Sequence, residues 1–103
     1  MALELRPNCE YCGVDLPPWS TAAMICSYEC TFCASCVERV LHDVCPNCGG
    51  GFTPRPIRPR TAWRAGLSLA DRPASDRRRH ADFDADEFAE LRGRIEHLAP
   101  PER

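Results

Sequence analysis

The side chains most able to do chemistry are eight cysteines, all in the first half of the chain. They form four close pairs, Cys9/Cys12, Cys26/Cys30, Cys33/Cys36 and Cys45/Cys48. With two or three residues between partners, both sulfurs of a pair can grip one metal ion. Tetrahedral zinc takes four thiolates, so eight cysteines make two closed sites with none left over. Catalytic zinc keeps a position open for water, usually beside a histidine or carboxylate. The all-cysteine set therefore points to two structural zinc ions, and no catalytic residue is expected. His42 is available as a ninth ligand, but at the end of a short helix it reads as solvent-facing. His80 and His97 sit among charged residues and read as surface.

Three ways of sharing the ligands are open. In a cross-brace, Cys9, Cys12, Cys33 and Cys36 hold site 1 while Cys26, Cys30, Cys45 and Cys48 hold site 2. In a sequential arrangement, the four cysteines from 9 to 30 hold one ion and those from 33 to 48 the other. In a nested one, the first and last pairs share an ion and the four central cysteines share its neighbour. The cross-brace is favoured because it interlocks both halves of a chain too small for a large core. Iron–sulfur is the rival metal, since Cys26-x3-Cys30-x2-Cys33 has the three-cysteine run of radical-SAM enzymes. Those enzymes surround the cluster with a large barrel, for which 103 residues leave no room.

The elements that must position these ligands are short. Gly13 follows Cys12 and Gly49 follows Cys48, so the first and last pairs read as zinc knuckles, tight turns with N–H groups aimed at sulfur. Cys33/Cys36 opens an amphipathic helix over 34–42, with Val37, Val40 and Leu41 on one face. Leu3, Leu5, Val14, Leu16, Ile25, Tyr28, Phe32, Val44 and Phe52 are the expected packing partners. The reading is a small zinc-stabilised α+β domain over 1–53. A Pro/Arg-rich linker follows over 54–83, then an amphipathic helix over 84–99, capped by Asp84 and striped by Phe88, Leu91, Ile95 and Leu98. So small a head buries little apolar surface. A structural zinc contributes on the order of 10–16 kcal/mol of apparent binding free energy, which becomes folding free energy.

The N-terminal residues lack a basic stretch followed by an apolar one, and no apolar run approaches the roughly 20 residues of a membrane span. A cytoplasmic location is expected, where paired cysteines hold metal more often than they form disulfides. Net charge is −2 but uneven. Residues 1–50 carry 2 Arg against 6 acidic residues, 51–79 carry 8 against 2, and 80–103 carry 3 against 7. The basic stretch includes Arg55, Arg58, Arg60, Arg64, Arg77, Arg78 and Arg79. It reads either as a phosphate-contacting arm, with Trp19 and Trp63 able to stack on bases, or as a solvated linker drawn to the acidic parts of its own chain.

The cysteine ladder, with Ile25-Cys26, Phe32-Cys33 and Val44-Cys45-Pro46-Asn47-Cys48, resembles RING-type domains. That resemblance implies a cross-braced, treble-clef-like fold with two zincs. It departs from active RING ligases in several places, among them the absence of the Trp common before the last pair. Cys30 fills the usual histidine position, and Gly49 stands where a basic residue often engages ubiquitin and its carrier. Of the carrier-facing positions Tyr11, Val14 and Pro46, only Pro46 matches convincingly. Leu3-Glu4-Leu5-Arg6-Pro7-Asn8-Cys9, Ile25 to Cys33 and Val44 to Gly50 are also similar to a family of short bacterial proteins known as a domain of unknown function, over about residues 1–58. The function expected is a non-catalytic protein-interaction module. A nucleic-acid-binding accessory protein and a ubiquitin-type ligase are the alternatives.

Overall fold

In a computed structural model, residues 2–103 form a small α+β structure built around a three-stranded antiparallel sheet. Strand β1 (Ala23–Ile25) lies in the middle, β2 (Thr31–Cys33) on one side and β3 (Thr53–Pro54) on the other. Ala23 faces Cys33 and Ile25 faces Thr31, while Ile25 also faces Thr53. Strands this short cannot bury a sheet face by themselves. Their role is to hold neighbouring cysteine turns in register.

Helix α1 follows β2 directly, as one α turn at Ala34–Cys36 continued by a π-helical turn at Val37–Leu41. It ends where His42 and Asp43 both adopt left-handed backbone, with φ of 49° and 60°. Phe32, Leu41 and Val44 are completely buried, and the Phe32 ring meets Phe52 edge-on at 5.5 Å. Leu5, Leu16, Val37 and Phe52 are buried as well. Leu3, Val14 and Tyr28, expected to pack inside, are instead exposed; Tyr28 stands 71% open. Tyr28 sits on the tip of the β1–β2 hairpin, where the chain turns away from the core.

The expected C-terminal helix is present but shorter, as α2 (Ala85–Ile95). The Asp84 carboxylate accepts from the Asp86 and Glu87 N–H groups at 2.9 Å, which is the cap read from the sequence. Leu98 lies beyond the helix in a following turn, and a 3₁₀ turn at Pro100–Glu102 closes the chain. Phe88 is buried against the head, while Leu91 and Ile95 are half-buried. Between β3 and α2, residues 55–84 form no helix or strand. None of the described helices is long and apolar enough to cross a membrane.

Candidate metal centres

The two glycine-following turns have the same construction. In the first, Cys9 N–H donates to Val14 O, Gly13 N–H to Cys9 O, and Gly13 takes φ +80°. In the second, Cys45 N–H donates to Gly50 O, Gly49 N–H to Cys45 O, and Gly49 takes φ +76°. Positive φ is why glycine is needed at both places. The turns aim main-chain donors at sulfur, from Cys12 N to Cys9 Sγ at 3.5 Å and from Gly50 N to Cys48 Sγ at 3.4 Å. The Cys26/Cys30 pair is presented differently. It closes the β1–β2 hairpin, with Glu29 in left-handed backbone at φ 67° and Tyr28 N donating to Cys26 Sγ at 3.3 Å. Cys33 and Cys36 come from the end of β2 and the first turn of α1.

These elements bring Cys9, Cys12, Cys33 and Cys36 together, with all four sulfurs within 4.8 Å of one another. A second group joins Cys26, Cys45 and Cys48 at the same spacing. Cys30, expected as the eighth ligand, lies beside Cys26 and Cys45 but outside that mutual spacing. Its sulfur accepts from the Asn47 side-chain amide at 3.4 Å, which holds it toward the second knuckle's rim.

The donor sets fit a thiophilic divalent ion. Tetrahedral zinc with Zn–S bonds of about 2.3 Å separates its sulfurs by about 3.8 Å. Cys12 Sγ and Cys33 Sγ lie 3.8 Å apart. The close packing of the sulfurs also shows in their electrostatics. Burial pushes Cys36 and Cys45 well above the ordinary thiol range, and neighbouring sulfurs push them further. Burial also raises Cys30 and Cys33. Cys9 goes the other way, since the main-chain N–H groups around it outweigh its burial and favour the thiolate. Four thiolates packed this closely repel one another unless a metal ion compensates them.

A polar layer that the cysteine pattern does not reveal supports the first group. Glu10, only 4% exposed, accepts from Thr31 N at 2.6 Å and from Arg6 Nη1 at 3.0 Å. Its main chain pairs with Thr31 O and with Ala81 N. Asn8, also buried, exchanges hydrogen bonds with the Arg79 main chain. The sequence offers one faint signal, the i,i+4 spacing of Arg6 and Glu10.

The arginine stretch is largely engaged with its own chain. Arg55, expected among solvent-facing cations, is 4% exposed, and its guanidinium donates to the carbonyls of Arg6, Leu16 and Pro17. Following β3, it is carried under the N-terminal segment, where those carbonyls have no strand partner. Arg58 donates to Leu3 O and Arg72 O. Arg78 pairs with Asp15 at 2.6 Å, and Arg79 pairs with Glu4 at 3.2 Å. Arg60, Arg64 and Arg77 are exposed, as are Trp19 and Trp63.

The fold and its sulfur groups thus define a small cysteine-rich α+β protein with two clusters able to hold metal. Residues 2–58 match the family "Protein of unknown function (DUF1272)", which spans more than half of the chain, and the protein belongs to that family. It is 63% identical over 57 residues to an uncharacterized protein of Rhizobium meliloti (strain 1021), covering 55% of this chain and 68% of that protein. No solved structure matches the chain.

Proposed function

We propose that this protein is a cytoplasmic, non-catalytic protein-interaction module whose head is a RING-like, treble-clef scaffold closed by two zinc ions. The observation that carries this reading is the interleaving of the sulfur groups. One draws on residues 9–12 and 33–36, and the other on Cys26 and 45–48, so each straddles the other in sequence. Interleaved sites interlock segments that a three-stranded sheet of two- and three-residue strands cannot hold. On this reading Cys30 completes the second shell when the ion is bound. All-thiolate shells leave no open position for substrate, which supports scaffolding over catalysis.

Metal analysis of the purified protein tests this directly. Two zinc ions per chain, with X-ray absorption showing only sulfur neighbours at about 2.3 Å, are expected. One ion or none, or a brown iron-containing protein, overturns the reading.

A nucleic-acid role has one observation in its favour, the exposure of Arg60, Arg64 and Arg77 and of the Trp63 ring. The self-engagement of Arg55, Arg58, Arg78 and Arg79 weighs against it. Salt-sensitive retention on heparin, lost on replacing Arg60, Arg64 and Arg77 by Ala, would support that role. A ubiquitin-type ligase is less well supported, because Gly49 lies beneath Ile95 rather than open to a carrier.

A further inference from the structure

The chain itself marks one surface of the head by laying its C-terminal segment across it. Phe83 stacks on Tyr11 at 6.1 Å and meets Phe88 edge-on at 5.1 Å. Ile95 lies against Gly49, and Pro100 against Gly51, where an added Cβ would come within 3.4 and 2.7 Å of them. Arg92 donates to Val40 O at 2.6 Å, and Arg103 donates to Asp43 O at 2.7 Å. Glu96 meets His42 at 2.9 Å. The face therefore reads a helix through an aromatic anchor, the clearance given by Gly51, and main-chain carbonyls in α1 and the turn after it.

Two features separate the face from its occupant. Open clefts of about 280 and 370 Å³ beside Phe88 let solvent reach the seam between the segment and Tyr11, Val40 and Pro46 of the head. The face lies inside the family match, whereas the occupant lies outside it, beyond an irregular connector.

We propose that this face is a docking groove for an amphipathic helix of a partner protein, and that residues 81–103 occupy it in cis as a displaceable competitor. The recognised pattern is that of α2: an aromatic anchor, an arginine four residues on and an aliphatic side chain seven residues on, as in Phe88, Arg92 and Ile95. The inference rests on the interaction-module reading and names its partner surface. Arg78, Arg79 and the Ala81 N–H tie the chain to the head just before α2, so the segment is presented to the face at high local concentration. The partner helix must outcompete that local supply.

The test uses the full chain carrying Phe88→Asp and a fluorescent synthetic peptide of residues 81–103. The variant is expected to keep its metal content and to bind the peptide at least tenfold more tightly than the unaltered chain does. A peptide carrying the same Phe88→Asp change should not bind. Absence of binding to the metal-loaded variant overturns the proposal, and so does equal binding to both chains. If Phe88→Asp releases metal, Arg92→Ala with Arg103→Ala provides the milder release. Metal loss there too would make the segment a structural wall and overturn the proposal. An unaltered chain without metal would instead sink the two-zinc reading.

Discussion

Glu10 is the side chain on which the first sulfur group leans most heavily outside its own ligands. It sits between Cys9 and Cys12 and joins the knuckle to β2 through Thr31 while accepting from Arg6. Replacing it with Gln keeps the shape but removes the charge and one acceptor oxygen. A charge-assisted hydrogen bond contributes about 1.5–3 kcal/mol, so Glu10→Gln should destabilise the head by about 2 kcal/mol in urea denaturation. Unchanged stability would show that Thr31 and Arg6 find other partners. Glu4 belongs to the same layer. Burial raises its carboxyl, but Arg6 and Arg79 outweigh this and hold it below the usual range. A lowered carboxyl stabilises the fold above its unfolded pKa, and that contribution fades as pH falls through the lowered folded value.

Among the elements, the second knuckle does two jobs. It presents Cys45 and Cys48, and its trailing glycines seat the C-terminal segment. Gly51→Ala separates these jobs, since the new Cβ would lie 2.7 Å from Pro100 Cγ. The 3₁₀ turn at Pro100–Glu102 should be displaced, while Gly49, whose φ the sulfur turn requires, is untouched. Hydrogen exchange is expected to speed up at the Glu102 and Arg103 amides with metal content unchanged. Loss of metal would show that the turn and the site cannot be uncoupled. The π-helical turn of α1 also matters at this scale. It widens the last turn so that Asp43 N reaches Val37 O and the chain swings into Val44 and Cys45.

For the whole molecule, the small sheet and few ring contacts leave folding, on the two-zinc reading, dependent on the sulfur groups. Chelation should therefore unfold the head in one step, with loss of near-ultraviolet signal, and zinc should restore it. Retention of a native spectrum without metal would show that the apolar core suffices. Acid acts in the same direction, since protons compete with metal for thiolates and affinity falls as pH falls. The C-terminal segment spreads this dependence, because Arg92 and Arg103 bind carbonyls whose positions the second knuckle and α1 define.

Ligand spacing and turn glycines were legible in the chain because metal chelation and positive φ are local requirements, met within four or five residues. The same holds for the Asp84 cap and the α2 stripe, although the stripe reached Leu98 and the helix stops at Ile95. The pattern could favour the interleaved sulfur groups but not select them, since three pairings satisfy the same spacings and it is the long-range bonding of Glu10 to Thr31 that brings β2 back beside the first knuckle. Tertiary structure also buried Arg55, left Tyr28 in solvent and turned Cys30 toward Asn47. Each depends on which distant carbonyl, ring or amide happens to face it. Local periodicity carries no record of such neighbours. Short-range geometry wrote the cysteine turns into the sequence, and long-range packing decided which of them come together and which face they offer.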